Sequence, residues 1–164
     1  VNNARARLEA RRGVTGSRRR PSGMDYELIY TSIATRHCSP DELAAMLARF
    51  RARNELVGVT GMLVYHRERF LQVLEGARAD VQATFDRILG DPRHDEIKVI
   101  HEGPLIARAF AHWSMAFENL GTTDLSENEG WSDFFEQGFT FEVIERRPST
   151  GRRLLEELRL ALDR

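Results

Sequence analysis

The chain has 164 residues, with 24 Lys and Arg against 25 Asp and Glu and a formal net charge of −1. That length suits one domain with an appendage rather than two full domains, and a hydrophobic fraction of 41% is enough for one real core. No apolar run approaches the roughly 20 residues that a membrane helix needs, and the single cysteine, Cys38, excludes an internal disulfide framework and fits a reducing cytoplasm.

Residues 1–23 carry seven arginines against Glu9, a charge of +6, which leaves −7 for the rest of the chain. Almost no large apolar residue accompanies them, so the segment reads as a disordered basic leader. It has no interleaved aromatics for base stacking, which argues against a nucleic-acid arm. Tyr26, Leu28 and Tyr30 alternate with Glu27, Ile29 and Thr31 and read as a first strand. Ser39-Pro40-Asp41-Glu42 is a helix start with Ser as N-cap, Pro at the first helical position and Glu closing a capping box. Leu43, Met46, Leu47 and Phe50 mark the buried face of that helix, which is expected to end near Arg53-Asn54. Residues 56–65 read as a second strand, with Gly58 and Gly61 permitting close approach to its backbone. After a polar turn at His66-Arg67-Glu68-Arg69 comes a third strand, 70–75, broken by Gly76.

Val81, Phe85, Ile88 and Leu89 describe a second helix that stops at Gly90-Asp91-Pro92. Ile97, Val99 and His101 read as a fourth strand, and Trp113, Met115 and Phe117 as a fifth. The order βαββαββ predicts an α+β, ferredoxin-like sheet with both helices on one face and the first and third strands central. After Leu120 a polar loop leads to short amphipathic stretches at Trp131, Phe134 and Phe135 and at Leu154, Leu155, Leu158 and Leu162. These predict a helical cap over 121–164, which covers the open sheet face or a second subunit. The expected organisation is therefore a leader (1–23), a core domain (24–120) and this cap.

Some residues break the local pattern. Gln72 sits at the centre of the apolar strand Phe70-Leu71-Gln72-Val73-Leu74. Its amide has two donors and two acceptor lone pairs, and leaving one buried and unpaired costs about 1–3 kcal/mol. It is either a structural amide bonded to neighbouring backbone or part of a site. With the first and third strands central, Tyr30 points to the same face and can donate to it. Asn54 is either an ordinary C-cap or an amide that reads a heteroaromatic edge between the helices. Arg87, Asp91, Arg93 and His94 form either a solvated face or a set that holds a polar ligand tail. The histidines show no metal-ligand spacing, and no Walker motif, GxGxxG or Ser/His/Asp triad is present.

Taken in order, Leu28-Ile29-Tyr30-Thr31-Ser32, Arg53-Asn54, Val59-Thr60-Gly61-Met62-Leu63, Phe70-Leu71-Gln72-Val73-Leu74-Glu75-Gly76, Asp91-Pro92-Arg93-His94 and Trp113-Ser114-Met115 resemble the BLUF domain, a flavin-based blue-light sensor. The separations agree as well: 24 residues from Tyr30 to Asn54, 22 from Gln72 to His94 and 41 from Gln72 to Trp113. The resemblance implies a flavin ring between the two helices, usually FAD, with FMN or riboflavin tolerated. It implies that Tyr30 donates an electron and a proton and that Gln72 bridges Tyr30 to the ring. Asn54 would bond the ring's carbonyl edge, with Arg53 a more variable contact. Arg87, Asp91, Arg93 and His94 would surround the pyrimidine edge and ribityl chain, and Met46, Phe70 and Ile88 would line the pocket. Trp113 and Met115 would reposition around Gln72 when light is absorbed.

The expected function is that of a photoreceptor without catalytic activity of its own. Its output would pass to a downstream protein or to a change of assembly, with homo-oligomerisation expected and no nucleic-acid or membrane partner. The competing readings are an acylphosphatase-like enzyme and a colourless protein-binding module on the same fold.

Overall fold

The computed structural model describes residues 24–119 together with residues 153, 155 and 156. Elements follow in the order β1 (Asp25–Ala34), α1 (Pro40–Val57), β2 (Thr60–His66), β3 (Arg69–Gly76), α2 (Arg78–Leu89), β4 (His94–Leu105) and β5 (Ala116–Asn119). The strands form one sheet in the order β4-β1-β3-β2-β5. Its ladders are antiparallel except for the last, where β5 runs parallel to β2. This is the α+β, ferredoxin-like arrangement predicted from the element order, with β1 and β3 inside the sheet. The basic leader, the Trp131 and Phe134 stretch and most of the C-terminal leucine stripe lie outside the described residues.

Local chemistry accounts for the elements. The α1 capping box forms as expected: the Ser39 hydroxyl accepts from the Glu42 N–H at 3.3 Å, and Glu42 Oε2 accepts from the Ser39 N–H at 2.9 Å. The β2–β3 hairpin turns on Arg67 and Glu68, with φ of 47° and 62°. That pair of left-handed residues gives a two-residue turn the right-handed twist its strands require.

Three boundaries differ from expectation. The α1 helix runs to Val57, a turn beyond Asn54, because Gly58 supplies the left-handed cap (φ +69°). Residues 56–59 therefore precede the strand rather than belong to it, and Leu56 is exposed. Leu89 is exposed as well, and the buried face of α2 is made by Val81, Thr84 and Ile88. The fifth strand begins only at Ala116, so Trp113 and Met115 stand before it in the segment leaving β4.

Strand alternation divides the core in two. Tyr26, Leu28, Tyr30, Leu63, Phe70 and Leu74 face the helices and pack with Leu43, Met46, Leu47, Val81 and Ile88. Ile29, Met62, Val64, Leu71 and Val73 face the other way, where Phe110, Ala116 and Leu155 cover them. Leu155 is 2% exposed, so the C-terminal leucine stripe reaches the rear face at least at this residue.

Gly61 serves close packing inside the sheet. A Cβ on it would stand 2.0 Å from the Val73 carbonyl oxygen, a backbone atom of the central strand. Gly61→Ala is therefore expected to lower unfolding stability by about 2–3 kcal/mol, read from the denaturation midpoint at unchanged m-value.

Candidate functional site

The register places Gln72 opposite Tyr30 on β1 and opposite Leu63 on β2, all on the helix-facing side of the sheet. The Tyr30 phenol donates to Gln72 Oε1. The other end of the amide, Nε2, donates to Met115 Sδ at 3.3 Å. A carbonyl oxygen paired with a phenol makes a strong bond, whereas a thioether is a weak acceptor. Gln72 is thus tied tightly on one side and loosely on the other, with all three residues buried.

Tyr30 is wholly buried, and burial pushes its pKa far above the ordinary phenol value, with the Asp91 carboxylate adding to the effect. The group stays protonated and serves as a hydrogen-bond donor. Its ring lies against Phe85, with centroids 5.3 Å apart.

A cavity of about 200 Å³ opens beside the pair. Of the residues singled out in the sequence, Arg53, Asn54, Gln72, Arg87, Ile88, Asp91 and Arg93 line it. Met46 and Phe70 stand in the surrounding apolar cluster, not in the lining. His94 is also outside the lining: its Nδ1 is 2.7 Å from Ser32 Oγ, its Nε2 has no partner, and burial pushes its pKa down. Asn54 lies inside the last turns of α1 rather than at its cap, and its Nδ2 donates to the Ser114 carbonyl at 2.7 Å. Asp91 accepts from the Arg93 side chain, with Nε at 2.9 and 3.1 Å from its two oxygens, and this hydrogen bonding holds its carboxyl below the usual range. Trp113 faces away from the cavity: it is half-buried in the rear cluster, 6.2 Å from the Phe110 ring.

Three lining residues were not anticipated: Arg49, Phe50 and Thr84. Thr84 is buried, and its Oγ1 has no hydrogen-bond partner. Its signal was available, since it is a polar residue between Val81 and Ile88 on the inner face of α2, the same kind of interruption that marked Gln72.

A sequence model of the BLUF family, described as sensors of blue-light using FAD, matches residues 26–116. The chain belongs to the BLUF family. The match spans more than half of the chain and contains the Tyr30–Gln72–Met115 group. Photoactivated adenylate cyclase subunit beta of Euglena gracilis is 38% identical over 90 residues, which are 54% of this chain and 10% of that protein. Subunit alpha from the same organism is 37% identical over 90 residues, 54% of this chain and 9% of that protein. The chain thus matches only about a tenth of the length of these curated relatives. Among solved structures, the dark state of BlrB, a BLUF protein, is 27% identical with a TM-score of 0.68, covering 84% of this chain and 97% of that one. The photo-activated state of BlsA is 26% identical with a TM-score of 0.64, covering 83% of this chain and 95% of that one.

BLUF domains bind flavin, and the residues present suit one. A flavin ring has apolar faces and a polar edge. Phe50 and Ile88 supply apolar wall, while the Asn54 and Gln72 amides and the unpartnered Thr84 hydroxyl supply polar atoms. An unbonded buried hydroxyl is a liability in the ligand-free chain. Thr84→Val, close in shape, is expected to raise the stability of flavin-free protein by about 1 kcal/mol and to weaken flavin binding. Thermal unfolding and a fluorescence titration with FAD read the two effects.

Proposed function

We propose that this chain is a blue-light sensor that holds a flavin between α1 and α2 and converts a change at the Gln72 amide into a change in its contacts with another protein. The observation that carries this reading is the buried amide of Gln72, which lines the cavity while bonded to a phenol on one side and a thioether on the other.

A bound flavin supplies absorption of blue light and an acceptor for an electron. In this reading Tyr30 would give up an electron and a proton, a role supported by its buried, protonated hydroxyl that donates to Gln72. Gln72 would pass the proton from Tyr30 toward the flavin and then rearrange. If its amide turns over, Nε2 faces Tyr30 and Oε1 faces Met115 Sδ, two acceptors that cannot bond. Met115 is then released, and the segment that carries it moves toward β5 and the rear cluster. Asn54 would hold the ring's polar edge.

The finer choice of cofactor rests on charge. Arg93 is taken up by Asp91, but among the described residues Arg49, Arg53 and Arg87 have no acidic partner. Three unpaired guanidinium groups at one cavity favour a phosphorylated flavin, FAD or FMN, over riboflavin. FAD binding should weaken as salt is raised from ~0.05 to ~0.5 M while riboflavin binding changes little, because added ions screen only the charged contacts.

The output proposed here is a downstream protein or a second copy of the chain, in a cytoplasmic setting. The relatives named as adenylate cyclases support light-regulated signalling, with the effector elsewhere in those longer proteins. The competing enzyme reading accounts for Asn54 and an arginine at the cavity but not for the buried Gln72 amide bonded to Tyr30 and Met115.

The deciding experiment is the absorption spectrum of purified protein in the dark and under blue light. Yellow protein with a reversible red shift is expected; a colourless protein, or one whose spectrum ignores light, overturns the reading. Gln72→Leu and Tyr30→Phe are each expected to retain flavin and lose the red shift. A normal shift in either variant would contradict the assigned roles.

A further inference from the structure

Glu75 is a fully buried carboxylate that the light reaction does not use. It lies on β3, three residues beyond Gln72, on the sheet face turned away from the helices. Its register partner on β1 is Glu27, also buried, with one carboxylate oxygen 3.4 Å from His101 Nε2. Its partner on β2 is Thr60. Two acids side by side under a sheet are costly, and burial, then the nearby Glu27 charge, push the Glu75 pKa up. A Val or Thr would complete the alternation begun by Leu71 and Val73 without that cost, so the carboxylate must have a task.

Its oxygens identify the task. Oε1 accepts from the Ala109 N–H at 3.0 Å and Oε2 from the Phe110 N–H at 2.9 Å. These residues begin the segment that carries Trp113, Ser114 and Met115. Further along, the Phe110 carbonyl accepts from the Trp113 N–H at 3.1 Å, and the Trp113 carbonyl accepts from the Gly61 N–H at 3.1 Å. The Ser114 and Met115 carbonyls accept from Asn54 and from Arg51 Nε, at 2.7 and 2.9 Å. The segment is therefore held at three places: Glu75 behind the sheet, Arg108 on Asp25 and the Gly58 carbonyl, and β2 with the end of α1 at the other side. The strand that carries the switching amide also carries the anchor of the segment holding that amide's weaker partner.

We propose that Glu75 is a positioning residue of the light-driven switch: by holding Ala109 and Phe110 it sets Met115 against Gln72 and so governs how fast the switched amide returns. The proposal rests on the light-sensor reading above. The anchor favours the dark arrangement, in which Gln72 Nε2 meets Met115 Sδ, so loosening it weakens the pull back.

The test uses the full chain loaded with FAD. Glu75→Gln keeps the shape but cannot accept from both N–H groups, because one end of its amide is a donor. It is expected to keep its flavin and its light-induced red shift while its thermal recovery in the dark slows at least about fivefold, a fair measure of a charge-assisted bond lost. Arg36→Gln breaks the Glu42 ion pair (2.6 Å), away from this segment, and serves as the control. It is expected to lower thermal stability and to leave recovery within about twofold. Recovery in Glu75→Gln within about twofold of the unsubstituted chain, or equal slowing in both variants, overturns the proposal.

Hydrogen exchange on the unsubstituted chain needs no variant. The Ala109 and Phe110 amides are expected to be protected in dark and light, and the Gly61 amide to lose protection on illumination. Unprotected Ala109 and Phe110 in the dark would also overturn it. Absence of a red shift in the unsubstituted chain overturns the sensor reading itself, so the two failures are told apart.

Discussion

A primary amide inside an apolar strand places the strongest demand on this fold. Gln72 is buried and has four hydrogen-bonding positions to satisfy. Its partners must come from other elements, and the topology brings them from both sides: Tyr30 from β1, directly across the ladder, and Met115 from the segment before β5. The antiparallel register is what aims the phenol at the amide, since a slip of one residue would turn Tyr30 to the rear face. The two bonds differ in strength, so the site has a fixed side and a yielding side. A switch needs that asymmetry: two strong bonds would lock the amide, and two weak ones would leave it without a defined state.

The cavity follows from the same layout. The α1 and α2 helices lie over the helix-facing side of the sheet, and the polar residues at their C-terminal ends converge above Gln72. Asn54 is shared between two duties, since it lines the cavity and ties α1 to the Ser114 carbonyl. Anything that competes for that amide inside the cavity acts on the segment outside it. The Arg93–Asp91 pair is neutral overall, so Arg49, Arg53 and Arg87 leave the cavity lining positively charged.

Much of this was legible in the sequence where one residue departed from its surroundings. Gln72 interrupts an apolar strand, Ser39 to Glu42 spell a capping box, and the spacing of Tyr30, Asn54 and Gln72 carries the family resemblance. Boundaries were harder. Asn54 looked like a cap because Asn commonly ends helices, while the left-handed conformation of Gly58 that ends α1 is a property of backbone geometry. Thr84 carries little signal in the sequence, because Thr is ordinary on a helix and only the structure shows its hydroxyl without a partner. The opposite facing of Trp113 and Met115 could not follow from strand alternation, because both precede β5, and residues two apart on a strand would share a face. Glu75 belongs to a motif in the sequence, and nothing there says that its partners are backbone amides 34 and 35 residues away.

The short reach from Trp113 to Met115 crosses the rim of the sheet. Met115 belongs to the cluster under the helices and Trp113 to the cluster behind, so one residue, Ser114, separates the two halves of the core. Any molecule or chain segment that binds the rear face, where Leu155 already sits, has differential affinity for the states of the switch if it senses where Trp113 lies. Thermodynamic reciprocity then applies: a binder that prefers the illuminated arrangement must itself stabilise that arrangement, relative to the dark one, by the same free energy. The balance between the two arrangements is in that sense a property shared with whatever occupies the back of the sheet.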